Sequence, residues 1–231
     1  MANTLGSPTM GLQAFGRQEG GSPTDGLTPV WIASTDAGLI FRGDPVMTST
    51  SPGTNLSGAY ITSLNAISVT NSTGFLCRGV FQGCYQYQPS AGRVVWSNFY
   101  NGSVTGSTGD VKAYIIDDPQ TNFLVQGSTR GAITSSMIGF NVGITYNTTT
   151  GNTTTGYSNV TVESTSTGGL LTLPFRIVDF LSAYTPPGGL AGPAGAGTTP
   201  FINGTDNTNA ANMVIVRLNN CDRLNLTAKS S

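Results

Sequence analysis

The sequence contains no histidine. That absence removes Ser-His-Asp and Cys-His nucleophile pairs, His-ligated zinc and the commonest general base together. Charge is also scarce: Asp, Glu, Lys and Arg make up 9% of the 231 residues, against about 25% in an average soluble domain. Gly, Ser, Thr and Asn fill the gap, and a surface so poor in charge suits a protein packed against other protein. The net charge of −1 comes with no basic run, which argues against direct nucleic-acid or anionic-membrane binding. There is no run of about twenty apolar residues to cross a bilayer as a helix. Met1-Ala2-Asn3-Thr4 lacks the basic start and apolar stretch of a secretory signal, so synthesis in the cytosol is expected.

Cys77, Cys84 and Cys221 are odd in number and form no C-x-x-C pair. They read as buried free thiols acting as small apolar residues, with a disulfide or a metal site as the alternative. Eight Asn-x-Ser/Thr triplets, such as those at Asn147 and Asn152, follow from a composition rich in all three residues and need no modification.

What the chain does have is short apolar stretches separated by Gly, Asn, Thr and Pro. In Val111–Gln126, Val111, Ala113 and Ile115 alternate with Lys112, Tyr114 and Ile116, which suits a strand with one well-buried face and a second face partly covered. Asp117-Asp118-Pro119 stops it, because Pro cannot donate to a ladder and Asp bonds its own backbone in turns. Phe123 and Val125 resume the pattern, so the chain turns back there as a hairpin or a sheet corner. Further strands are expected at Pro29–Ser34, Gly38–Phe41, Phe75–Tyr87, Arg93–Tyr100, Ala132–Tyr146, Tyr157–Glu163, Leu170–Leu181 and Asn212–Asn219. Ala59–Val69 fits a strand or a short helix. Gly79 and Gly83, and again Gly139 and Gly143, mark bulges or close backbone approaches. Pro174 argues for an edge strand or a kink.

No long amphipathic helix is visible. The reading is all-β: one β-barrel or β-sandwich, jelly-roll-like, with an extended N-terminal arm and an irregular C-terminal region. Residues 1–28 form the arm, 29–184 the β domain, 185–211 a Pro/Gly/Ala linker, and 212–231 a last strand, which closes the sheet, and a polar tail. A chain of this length buries roughly 70% of its unfolded surface, enough for a real core. The arm cannot bury enough surface to pack alone and is expected to order against a partner through Leu5, Met10, Leu12 and Phe15.

For catalysis, paired carboxylates are the remaining route. Asp117 and Asp118 are adjacent and so point to opposite faces, which suits a structural turn with Pro119 better than a facing acid pair. No catalytic residue, metal ligand or cofactor site is assigned, and no phosphate-binding glycine motif occurs. Arg42-Gly43-Asp44 matches a receptor-binding triplet, yet Pro45-Val46-Met47 follows at once, so a strand-connecting turn is expected. Trp31, Tyr85, Tyr87, Trp96, Phe99 and Tyr100 fill a core and a subunit contact, or build a sugar-stacking platform. Asn147–Gly156 is either a hairpin tip or a polar face against a neighbour.

Gly43-Asp44-Pro45-Val46, Gly79-Val80-Phe81 with Gly83 and Tyr85, the Trp96–Tyr100 cluster, Asp117-Asp118-Pro119 before Phe123, Val125 and Gln126, and Thr155-Gly156 with Ser158 together form a pattern. Over about residues 38–160 it resembles the decoration, or cement, proteins of tailed-bacteriophage capsids. Asn98-Phe99-Tyr100-Asn101-Gly102 stands where such chains tend to carry a Trp-Pro-Ala-Gly turn, and Leu124 where an acidic residue is common. The resemblance implies a virion structural protein on the capsid surface that bridges neighbouring major capsid proteins. Its partners are then the major capsid protein and itself, as a dimer or trimer. The reading from another class is a carbohydrate- or receptor-binding tail or fibre module, with the exposed aromatics and the 147–156 loop as its face. A hydrolase would need an acidic pair brought together by folding.

Overall fold

The computed structural model describes residues 10–18, 26–49, 58–63, 76–102, 109–168, 172–180 and 210–224. In chain order the strands are β1 (Gln13–Arg17), β2 (Thr28–Ile32), β3 (Leu39–Phe41), β4 (Pro45–Thr48), β5 (Ile61–Ser63), β6 (Cys77–Gln88) and β7 (Arg93–Ser97). They continue with β8 (Phe99–Asn101), β9 (Val111–Ile116), β10 (Thr121–Gln126), β11 (Asn141–Gly151), β12 (Ser158–Gly168), β13 (Phe175–Phe180) and β14 (Met213–Leu218). The only helical element among the described residues is a 3₁₀ turn at Ser135–Met137. The all-β barrel or sandwich class read from the sequence is the class of the structure.

Two antiparallel sheets carry the fold. The first runs β1-β10-β14-β13-β11-β12; the second runs β2-β9-β6-β4-β5, with β7 on the far half of β6. The second sheet curls far enough for its two ends to meet, and the first far enough for β12 to reach the end of β10, leaving β1 beyond the junction. A parallel bridge joins Trp31 to Tyr60, just before β5, and another joins Gly127, just after β10, to Val162 in β12. β3 and β8 form a two-stranded ribbon whose Ile40 and Tyr100 complete the core under the second sheet.

The alternation in β9 explains how the sheets share one body. Val111, Ala113 and Ile115 pack into the second sheet's core, whereas Ile116 turns the other way into the core of the first. β6 divides likewise, with Phe81 and Cys84 in one cluster and Cys77 and Val80 in the other. Consecutive apolar residues are therefore both buried, because each strand face meets a different core.

Val111–Gln126 resolves as a corner rather than a hairpin. β9 pairs with β2 and β6, β10 pairs with β1 and β14, and Asp117–Gln120 carries the chain from one sheet to the other.

Several boundaries differ from the sequence reading. Of the arm assigned to residues 1–28, the part at Leu12–Arg17 belongs to the body: β1 pairs with β10, and Leu12 is fully buried in the first core. Backbone pairing supplies what its sparse apolar content does not. β14 sits between β10 and β13 in the interior of its sheet instead of closing it; residues 225–231 of the expected tail lie outside the described residues. Of the linker at 185–211, residues 185–209 lie outside the described residues. Pro174 precedes β13, itself an interior strand flanked by β14 and β11, so it marks the strand's start and not an edge. Ala132–Phe140 holds the 3₁₀ turn, and β11 begins only at Asn141.

Candidate binding surface

The Arg42-Gly43-Asp44 turn is the point where separate elements are stitched together. Gly43 N–H donates to Phe81 O at 2.8 Å, Gly43 O accepts from Leu12 N–H at 3.0 Å, and Ser158 N–H donates to Arg42 O at 2.9 Å. Gly43 sits at φ +90°, where a Cβ would stand 2.9 Å from Leu12 N, so only glycine fits. Asp44 is fully buried; it accepts Phe41 N–H at 2.7 Å and the Ser158 hydroxyl. Burial pushes its carboxyl up to about 7, against the lowering effect of the Ser158, Phe41 and Tyr146 hydrogen bonds. A carboxylate placed there cannot reach a receptor, so the triplet is the strand-connecting turn expected of it.

The two corner aspartates point apart. Asp117, buried, accepts the Thr28 hydroxyl at 2.8 Å and Arg223 Nε at 3.0 Å, with Arg78 at 3.5 Å. Asp118 caps its own turn by accepting Gln120 N–H at 3.0 Å and pairs with Arg17 of β1 at 3.0 Å. With Pro119 between strands of different sheets, the trio is architectural. The remaining described carboxylates are likewise committed. Asp36 accepts Gly38 N–H, Asp110 binds Ser34 N–H and the Tyr60 hydroxyl, Glu163 pairs with Arg130, Asp179 accepts Phe180 N–H and Asp222 lies against Thr48 and Arg78. Among the described residues no group of three or more His, Cys, Asp or Glu side chains is arranged to hold a metal. No described helix is long and apolar enough to cross a membrane.

The aromatic residues divide between core and surface. Tyr100 is buried and donates its hydroxyl to Asp36 O at 2.7 Å, and Phe99 stacks on Phe41 at 5.6 Å between ring centroids. Tyr85 and Trp96 remain exposed on the outer face of the second sheet. They form a cluster with Tyr114, at centroid distances of 5.2, 5.7 and 6.0 Å, beside an exposed Val94. Lys112 Nζ lies 5.7 Å from the Tyr114 ring. Gly83 makes the cluster possible: it sits at φ +149°, and a Cβ there would lie 2.4 Å from the Trp96 ring. Tyr114 and Val94 escaped the sequence reading because it is strand register, Tyr85 opposite Trp96 and Gly83 opposite Tyr114, that gathers them.

Next to this face, the end of the β6–β7 hairpin, β8 and the tip of the β11–β12 hairpin enclose a cleft of about 390 Å³. The tip is held by its own hydrogen bonds. Asn152 Oδ1 accepts Thr154 and Thr155 N–H at 2.8 and 3.2 Å, and Gly156 N–H donates to Asn152 O at 2.7 Å. Folding thus brings the aromatic segment and the 147–156 loop, distant in sequence, to one place.

Of the four arm residues expected to contact a partner, Met10 and Phe15 are 46% and 48% exposed, Leu12 is wholly internal, and Leu5 lies outside the described residues. Leu12 is therefore corrected to a core residue. No protein-family model, curated protein or solved structure matches the chain.

Proposed function

We propose that the protein is a capsid decoration, or cement, protein: a virion structural component that sits on the outside of an icosahedral phage head and bridges neighbouring major capsid proteins. The observation that carries this reading is the free margin of the first sheet. β1 is its terminal strand, with β10 on one side and no described strand on the other. Met10 and Phe15 stand exposed along it. An extended capsid segment can add to such a margin through backbone hydrogen bonds while the two side chains enter apolar pockets. The described carboxylates, each tied to a structural partner, favour adhesion over chemistry. No cofactor, nucleic acid or membrane takes part. Self-association as a dimer or trimer at a local symmetry axis multiplies individually modest attachments into one that is hard to remove.

Imaging of purified particles tests the reading. Density for the protein is expected on the outer shell, repeating with the icosahedral lattice. Adding the purified protein to undecorated heads should restore that density, and Phe15→Lys should lower occupancy at unchanged thermal stability. Finding the protein only on the tail in a few copies overturns the head assignment and leaves the carbohydrate- or receptor-binding module in its place.

A further inference from the structure

We propose that the cleft between the β6–β7 hairpin, β8 and the β11–β12 tip binds a neutral saccharide. None of its thirteen lining residues carries a charge. An anionic ligand would find no cation to neutralise it, and a cationic one no carboxylate. A hydrocarbon ligand is disfavoured for the opposite reason: the polar side chains of Gln88, Asn98, Thr154 and Thr155 would be stripped of water without a ligand group to bond in its place. A neutral polyhydroxylated ring answers both conditions. Each of its hydroxyls donates and accepts, as do the amide and hydroxyl side chains here, and its apolar C–H face suits the aromatic residues of the lining such as Tyr87.

Volume and rigidity fit the same ligand. A cleft of about 390 Å³ falls in the lower part of the range of small-molecule sites, about 300–1,000 Å³. Its walls are fixed before any ligand arrives. Gln86 Oε1 accepts Asn101 N–H at 3.3 Å, and the Asn152 amide holds the backbone of Thr154 and Thr155. Little ordering cost remains to be met on binding. The inference rests on the cleft and not on head attachment, so isolated protein is the test material.

The experiment is saturation-transfer NMR with calorimetry on the purified protein, using maltotriose, chitotriose and mannotriose, with sialyllactose as the charged comparison. At least one neutral trisaccharide is expected to bind, with affinity unchanged in molar salt. Gln88→Ala and Thr154→Val, at exposed positions where the fold does not depend on them, should each weaken that binding by about tenfold. Phe15→Lys, on β1 of the other sheet and outside the cleft lining, should leave it as it is. The assignment is overturned if none of the neutral sugars binds or if sialyllactose binds as well as they do. It is equally overturned if the two cleft variants bind like the parent, or if they lose attachment to heads while the parent shows no sugar binding, which makes the cleft a capsid contact.

Discussion

Asp44 shows how much one buried group sets the behaviour of this chain. Its folded carboxyl titrates near 7, above its ordinary value of 3.8, because burial disfavours the charged form. Between those values the native state holds a proton that the unfolded chain has released. Stability from this site is therefore full below about pH 4 and is lost as pH rises toward 7. In urea titrations across that range, the parent should lose on the order of a few kcal/mol relative to Asp44→Asn, whose curve should be flatter. Gly83 makes a separate demand on space. Gly83→Ala should cost about 1–3 kcal/mol and shift the tryptophan emission, since the added methyl must displace Trp96. The thiols are the quietest residues. Burial raises the Cys77 and Cys221 thiols and lifts Cys84 to about 12, so labelling by a maleimide at pH 7 should be slow until denaturant is added.

At the scale of elements, the corner between β9 and β10 and the margin at β1 give contrasting expectations. Asp117 is buried between two arginines, so Asp117→Ala removes the nearer of the two carboxylates that Arg78 faces, leaving Asp222 at 3.8 Å, and should cost about 2–3 kcal/mol. Arg223 is half exposed, and Arg223→Ala should cost about 1 kcal/mol or less because Arg78 still serves the carboxylate. Leu12→Ala should cost about 2–5 kcal/mol, whereas Phe15→Lys should change stability by no more than about 0.5 kcal/mol; thermal melts of the pair separate core from contact surface. The strand at β9 was legible in the sequence because alternation is a local signal, and Asp-Asp-Pro announced its end. β1 was not, since Gly, Ser and Thr dominate its surroundings and its strand character comes from pairing with residues a hundred positions away. Register is non-local in the same way, which is why Tyr85 and Trp96 could be named as aromatics but not assigned with Tyr114 to one outer cluster. The cleft was half legible: both of its walls drew notice, their meeting did not.

Taken whole, the molecule is two curled sheets whose cores meet on either face of β6 and β9, with few charged residues in the chain. Attachment through such a surface should resist salt. Heads washed in molar salt are expected to keep the protein, and its release would show ion pairs in the contact. The order of strands in the first sheet also governs how the chain is made. β10 has β14 as its neighbour on one side, so its ladder stays open until Met213–Leu218 has left the ribosome. A nascent chain stopping at Ala211 would carry two interior strands, β10 and β13, each with one edge open, and should be recovered as aggregate. Synthesis, more than any step of attachment, is where this protein is vulnerable to a premature stop.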